Sequence, residues 1–174
     1  MVSRILVPTD GSAHAARAIA FAADLAKRYD AKVILLHALL RGHMPEGLLR
    51  AAQVERLAGG LSRPAENLVN LPPEIMARVD GKHGTQMPLQ VLEFIGKRVL
   101  SGAEQTVRSA GVREVELVAE EGPPGEVVLD WAARLDIDLI VMGSRGLGGL
   151  KGLLLGSVSQ KVTQLAKCPC LIIK

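Results

Sequence analysis

Aromatic side chains are scarce: one Trp, one Tyr and two Phe in 174 residues. A core built with so few of them rests on Val, Ile, Leu and Ala. A surface so poor in them offers few stacking platforms for bases, which argues against a nucleic-acid binder. Neither sign of charge dominates. The net charge is +3, from 21 Lys and Arg against 18 Asp and Glu. The basic residues are scattered, without the dense stripe that a phosphate backbone favours. Long apolar runs are missing too. The longest stretch free of Lys, Arg, Asp and Glu is ten residues, His83 to Leu92, against about 20 apolar residues for a membrane span. No charged-then-apolar leader pattern opens the chain, so a cytoplasmic location with no membrane and no nucleic-acid partner is expected. The two cysteines, Cys168 and Cys170, flank Pro169. No second pair completes a zinc site, which predicts reduced thiols in a packing role.

The residues present are those of an ordinary globular domain, 48% hydrophobic and 22% charged. The length suits one domain spanning 1–174. Arg4-Ile5-Leu6-Val7-Pro8 is a short apolar run stopped by the turn signal Thr9-Asp10-Gly11-Ser12, a buried strand by pattern. A helix follows, with Ala15, Ala18, Ala22, Leu25, Ala26 and Tyr29 on its apolar face and Ser12 as its N-cap. Val33 to Leu39 is a continuous apolar run, the mark of a strand covered on both faces of a parallel sheet. Leu92, Ile95, Val99, Ala103, Val107 and Ala110 form one face of a later helix ended by Gly111. Val115 to Ala119 alternates, which predicts a strand near a sheet edge. Gly122-Pro123-Pro124-Gly125 starts another helix. Asp138 to Met142 is the clearest buried strand, with Asp136 and Asp138 expected as solubilising turn residues. A helix over Ser157 to Ala166 and a strand over Pro169 to Ile173 complete the pattern. Alternating strands and helices predict a doubly wound parallel α/β sheet, with ligands beyond the carboxyl ends of the strands.

Between Leu40 and Pro88 periodicity fails, and eleven Gly and Pro residues punctuate the segment. It reads as an irregular insert at about 40–88, with a short helix expected over Glu46 to Ala58. A plain surface excursion and a lid or partner-binding element are both open.

Chemistry concentrates after the Asp138–Met142 strand, in a glycine-rich segment running from Gly143 to Ser157. Glycine lets backbone approach a ligand closely. The last glycine, Gly156, precedes a helix whose first amides lack intrahelical partners and so form an anion site. Ser157 and Gln160 have capping-box spacing, so the Ser157 hydroxyl either caps the helix or donates to a phosphate. Micromolar binding is about −8.2 kcal/mol, and a hydrogen bond to a charged group contributes roughly 1.5–3 kcal/mol. Four or five amides would supply that before ordering costs, with Arg145 and Lys151 available to pair with phosphates. Asp10, at the end of the first strand, can accept from ribose hydroxyls or simply form the turn before Gly11. His37 has no partner set for catalysis and is expected as a hydrogen-bonded core histidine.

With these residues in place the chain resembles the universal stress proteins. The nucleotide-binding branch of that family carries G-x2-G-x9-G-[S/T], matched here by Gly143, Gly146, Gly156 and Ser157. Val7 to Ser12 resembles the family's first strand and turn, and Lys167 to Ile173 its last strand. The likeness covers nearly all of the chain outside Leu40 to Pro88. It implies a flavodoxin- or Rossmann-like fold of the adenine nucleotide alpha hydrolase type, a five-stranded parallel sheet in the order 3-2-1-4-5. It also implies ATP, with or without Mg2+, in the switch-point crevice. By position, Pro8, Thr9 and Asp10 lie beside the adenosine, Ala38 contacts adenine, and Met142 and Gly143 approach the nucleoside. Gly146, Gly156, Ser157 and Val158 hold the phosphates, joined by Arg145. The family pairs its last strand across a two-fold axis, which implies a homodimer.

The expected function is that of a small ATP-binding regulator of the stress response, read by a protein partner that the sequence does not name. A slow ATP hydrolase or self-phosphorylating enzyme is an alternative. P-loop enzymes place a Lys directly before the Ser/Thr, whereas Leu155 and Gly156 precede Ser157 here; no catalytic residue and no metal ligand is assigned. A dimeric interaction module without nucleotide is a further alternative, opposed by the intact glycine spacing. A receiver-type phosphorylation domain would need an acidic cluster at the first strand, where Asp10 stands alone.

Overall fold

A computed structural model describes residues 1–40, 89–147 and 154–174 of the chain. Within them, five strands and four helices alternate: β1 (Arg4–Pro8), α1 (Ala13–Tyr29), β2 (Lys32–Leu39), α2 (Leu89–Ser109), β3 (Val115–Glu121), α3 (Pro124–Arg134), β4 (Leu139–Gly143), α4 (Ser157–Leu165) and β5 (Cys170–Ile173). The expected helix over Glu46 to Ala58, and the rest of the insert, lie outside the described residues.

All strands are parallel, in the order β3-β2-β1-β4-β5, as the resemblance implied. The chain builds outward from β1 to β2 and β3, then returns to the other side of β1 for β4 and β5. β1 therefore pairs with both β2 and β4, and the loops after β1 and β4 face each other where the winding reverses. This is the switch point, where an open α/β sheet leaves a crevice.

Period-two alternation divides the strand side chains between two cores. Ile5, Val7, Val33, Leu35 and Val141 face α1 and α2, meeting Ala18, Ile19, Ala22, Ala23 and Ala26 of α1 and Leu100, Ala103 and Val107 of α2. Leu6, Ile34, Leu36, Val118, Ile140 and Met142 face α3 and α4, meeting Val127, Val128, Ala132 and Val162. β1, β2 and β4 are central and read as continuous apolar runs because both faces are covered. Each fully buried Val, Leu or Ile side chain stabilises by roughly 1.5–3 kcal/mol. β3 is at an edge, as its alternating sequence predicted.

Several local expectations are met. Ser12 caps α1, its hydroxyl accepting from the Ala15 N–H at 3.2 Å. The Gly111 N–H closes the end of α2 on the Arg108 carbonyl. Cys168 and Cys170 are free thiols, packed against the α3/α4 core and pushed up in pKa by burial.

Two readings need correction. Tyr29 is exposed rather than on the buried face of α1. It is the last helical residue, and Asp30 turns the chain away with φ 51°; Ile19 and Ala23 are buried instead. Asp138 is more than a solubilising residue. One of its oxygens accepts from the Ser3 N–H at 2.8 Å, the Ser3 hydroxyl at 2.7 Å and the Arg4 N–H at 2.9 Å. It thereby stitches the start of β1 to the start of β4. These donors hold its carboxyl well below the ordinary value, at about 2.

Candidate functional site

The crevice has two walls. One is the β1–α1 turn, Thr9 to Ser12. The Thr9 N–H donates to the Leu36 carbonyl at 2.9 Å, which carries the β1–β2 ladder one residue past Pro8. Thr9 is buried, and its carbonyl lies 2.8 Å from His37 Nδ1. His37 is the hydrogen-bonded core histidine expected of it. Burial lowers its pKa, with the Thr9 bond and the Asp10 charge working the other way.

The other wall is the β4–α4 loop. The Ser144 N–H donates to the Ile173 carbonyl at 2.7 Å, and its carbonyl accepts from the Gly156 N–H at 2.7 Å. That carbonyl also lies 2.8 Å from the Ser159 hydroxyl, which is 2.9 Å from the Gly156 carbonyl as well. The two ends of the loop are thus clipped together over buried Ser144 and Ser159. Gly148 to Leu153, including the Lys151 weighed above, lie outside the described residues.

Asp10 joins the walls. One carboxylate oxygen accepts from the Ser12 N–H at 2.9 Å, as an Asp-turn does; the other accepts from the Leu147 N–H at 2.9 Å. The Ser12 hydroxyl lies 3.5 Å from the Arg145 carbonyl. Two glycines sit in this close packing. A Cβ on Gly143 would sit 2.8 Å from the His14 carbonyl carbon and 2.9 Å from the Ala15 nitrogen, and one on Gly146 would collide with the Asp10 carboxylate. Gly156 differs. Its φ is −78°, and among the described residues a Cβ there would meet only ordinary contacts, the nearest at 3.5 Å. The packing of the described residues does not demand a glycine at 156.

Gly156 is the N-cap of α4, and among the described residues no side chain caps the helix's first amides. The expected Ser157–Gln160 capping box is therefore not formed. Ser157 is already the first helical residue, and the Gln160 N–H bonds the Gly156 carbonyl instead. Ser157 is exposed, so its hydroxyl is not occupied with capping. Uncapped first-turn amides and the positive end of the helix dipole suit an anion.

Thr9, Asp10, Gly143, Arg145, Gly146 and Gly156 are brought together as an interlocked group. Pro8 ends β1 in register with Leu36. Ala38, Met142 and Val158 direct their side chains to the α3/α4 core, and Met142 is only 4% exposed. Pattern reading missed Ser144, Ser159 and His14. The two serines sit where a small polar residue follows a buried strand or occupies a first helical turn, which is the only signal they give. His14 lies against Gly143, and desolvation together with Arg17 and Arg145 lowers its pKa. Among the described residues, no three His, Cys, Asp or Glu side chains gather as a metal site, and no helix is long and apolar enough to cross a membrane.

This geometry can be set beside known proteins. The chain is 30% identical over 174 residues, all of both chains, to the universal stress protein YxiE of Bacillus subtilis. It superposes on the universal stress protein UspA from Lactobacillus plantarum with a TM-score of 0.67, at 20% identity, covering 99% of this chain and 97% of that one. A universal stress protein from Archaeoglobus fulgidus in complex with dAMP superposes with a TM-score of 0.59, at 20% identity, over 100% and 98% of the two chains. Similar solved structures also include universal stress proteins carrying cAMP and AMP. The sequence profile of the universal stress protein family matches residues 1–174, and the chain belongs to that family.

Proposed function

We propose that the chain binds an adenine nucleotide, ATP by preference, in the crevice between the β1–α1 turn and the β4–α4 loop, and that it acts as a nucleotide-dependent regulator of the stress response. The observation that carries this reading is the N-terminus of α4 at the switch point, uncapped among the described residues, and preceded by a glycine that their packing does not require. A helix start with free amides takes a phosphate group, and a side chain on Gly156 would stand beside it. Thr9, Asp10 and the backbone of Met142 and Gly143 would hold the nucleoside, with Ala38 beside the base. Gly146, Gly156, Ser157, Val158 and Arg145 would hold the phosphates. Relatives that carry dAMP, cAMP and AMP support an adenine nucleotide in this class of fold.

In this reading the whole chain works as one cytoplasmic domain and as a homodimer joined through β5. That strand is a sheet edge of four residues whose side chains are only half-buried, and apolar edges invite pairing. The deciding measurement is calorimetric titration of the purified protein with ATP, with and without Mg2+, after any nucleotide released by denaturation has been identified. Saturable binding at micromolar ATP is expected. A flat titration together with no released nucleotide would reject the reading, and a monomeric mass by light scattering would reject the dimer.

A further inference from the structure

We infer that Asp10 is a positioning residue for the phosphate loop, a latch that holds the opening turn of the β4–α4 segment in its anion-binding shape. The inference rests on the nucleotide reading above and deepens it. Asp10 presents two oxygens to two backbone donors from opposite walls: the Ser12 N–H at 2.9 Å and the Leu147 N–H at 2.9 Å. Both donors need an acceptor, and only a carboxylate offers one on each side. An Asn in its place has one oxygen and one NH2 group. The Ser12 bond spans two residues of local turn and keeps the oxygen, so the Leu147 N–H would face an amide donor.

Gly146 is the second half of the device. Its missing side chain is the space that the carboxylate occupies. The middle glycine of the motif is therefore explained by the latch as well as by room for a phosphate. The latch also couples the two walls, because the residue beside the nucleoside is the one that shapes the loop meeting the phosphates.

Tripolyphosphate, which has no ribose, separates this role from a ribose contact. Removing a negative charge near an anion site tightens anion binding if charge is all that changes. The latch requires the opposite sign. In Asp10→Asn, hydrogen exchange at the Leu147 amide of the nucleotide-free full chain should rise about tenfold, while the Val141 amide keeps its protection. Tripolyphosphate affinity should fall by a similar factor. Gly146→Ala, which displaces the carboxylate from the other side, should reproduce both effects.

Unchanged Leu147 exchange in both variants would overturn the latch. Faster exchange with equal or tighter tripolyphosphate binding would overturn the positioning role. If the parent binds neither ATP nor tripolyphosphate while exchange still rises in Asp10→Asn, the nucleotide reading and the positioning role fall and the latch itself stands.

Discussion

Gly143 lies against His14 so closely that a Cβ on the glycine would come within 2.8 Å of both the carbonyl carbon and the Cβ of the histidine. The end of β4 and the first turn of α1 are in backbone contact. The two walls of the crevice have no side-chain layer between them at this point, which fixes their separation. The glycine here serves the fold before it serves any ligand.

Gly143→Ala should therefore destabilise the protein. The obstacle is backbone, which cannot swing aside, and overpacking of this kind costs about 1–3 kcal/mol. The midpoint of urea unfolding should drop at unchanged slope. A variant as stable as the parent would show that α1 and β4 are less tightly apposed than described.

Gly156 should behave in the opposite way. Among the described residues a Cβ there meets ordinary contacts at 3.5 Å and beyond, so Gly156→Ala should lose only the N-cap preference of Gly over Ala, about 0.5–1 kcal/mol. Gly156→Val places two methyl groups beside the α4 amides and should weaken ATP binding about tenfold or more, equivalent to about 1.4 kcal/mol. Calorimetric titration of a folded Gly156→Val protein checks this; parental affinity would mean the phosphates lie elsewhere.

His37 predicts a loss of stability on mild acidification. Burial holds the folded ring below its ordinary 6.5. As pH falls through that value, the unfolded chain takes up the proton first, and acid favours unfolding until the folded ring titrates as well. His37→Gln retains a donor for the Thr9 carbonyl and does not titrate. Between about pH 7.5 and 5.5 it should lose less stability than the parent in denaturant melts. A ring titration by NMR at or above 6.5 would contradict the assignment.

Asp138 acts in a lower window. Its folded carboxyl titrates at about 2 against an ordinary 3.8. The stability it supplies is complete above the unfolded value and is lost as pH falls from there through about 2. Asp138→Asn keeps an oxygen facing the Ser3 and Arg4 donors and removes the charge, so its stability should be flatter across that range. Parallel acid-unfolding curves for the two proteins would dismiss the stitch between β1 and β4 as a stabilising element.

Much of the molecule is written in local pattern. Continuous apolar runs at Ile5–Val7, Val33–Leu36 and Ile140–Met142 are strands because burial on both faces leaves no polar alternation, and the alternating Val115–Ala119 run marks an edge for the converse reason. Turn chemistry at Asp10-Gly11-Ser12 and the motif spacing from Gly143 to Ser157 pointed to the switch-point crevice. Local pattern failed where a residue's part depends on a partner far along the chain. Asp138 reads as a turn residue until Ser3 and Arg4 are folded beside it. Ser157 reads as a cap until the helix is seen to start at that residue. Asp10 offers either a turn or a ribose contact, and only the fold, by bringing Leu147 to its second oxygen from 137 positions away, makes it a link between two walls. Periodicity is a property of neighbours in the chain, whereas a hydrogen bond to a distant backbone amide depends on the register of the whole sheet.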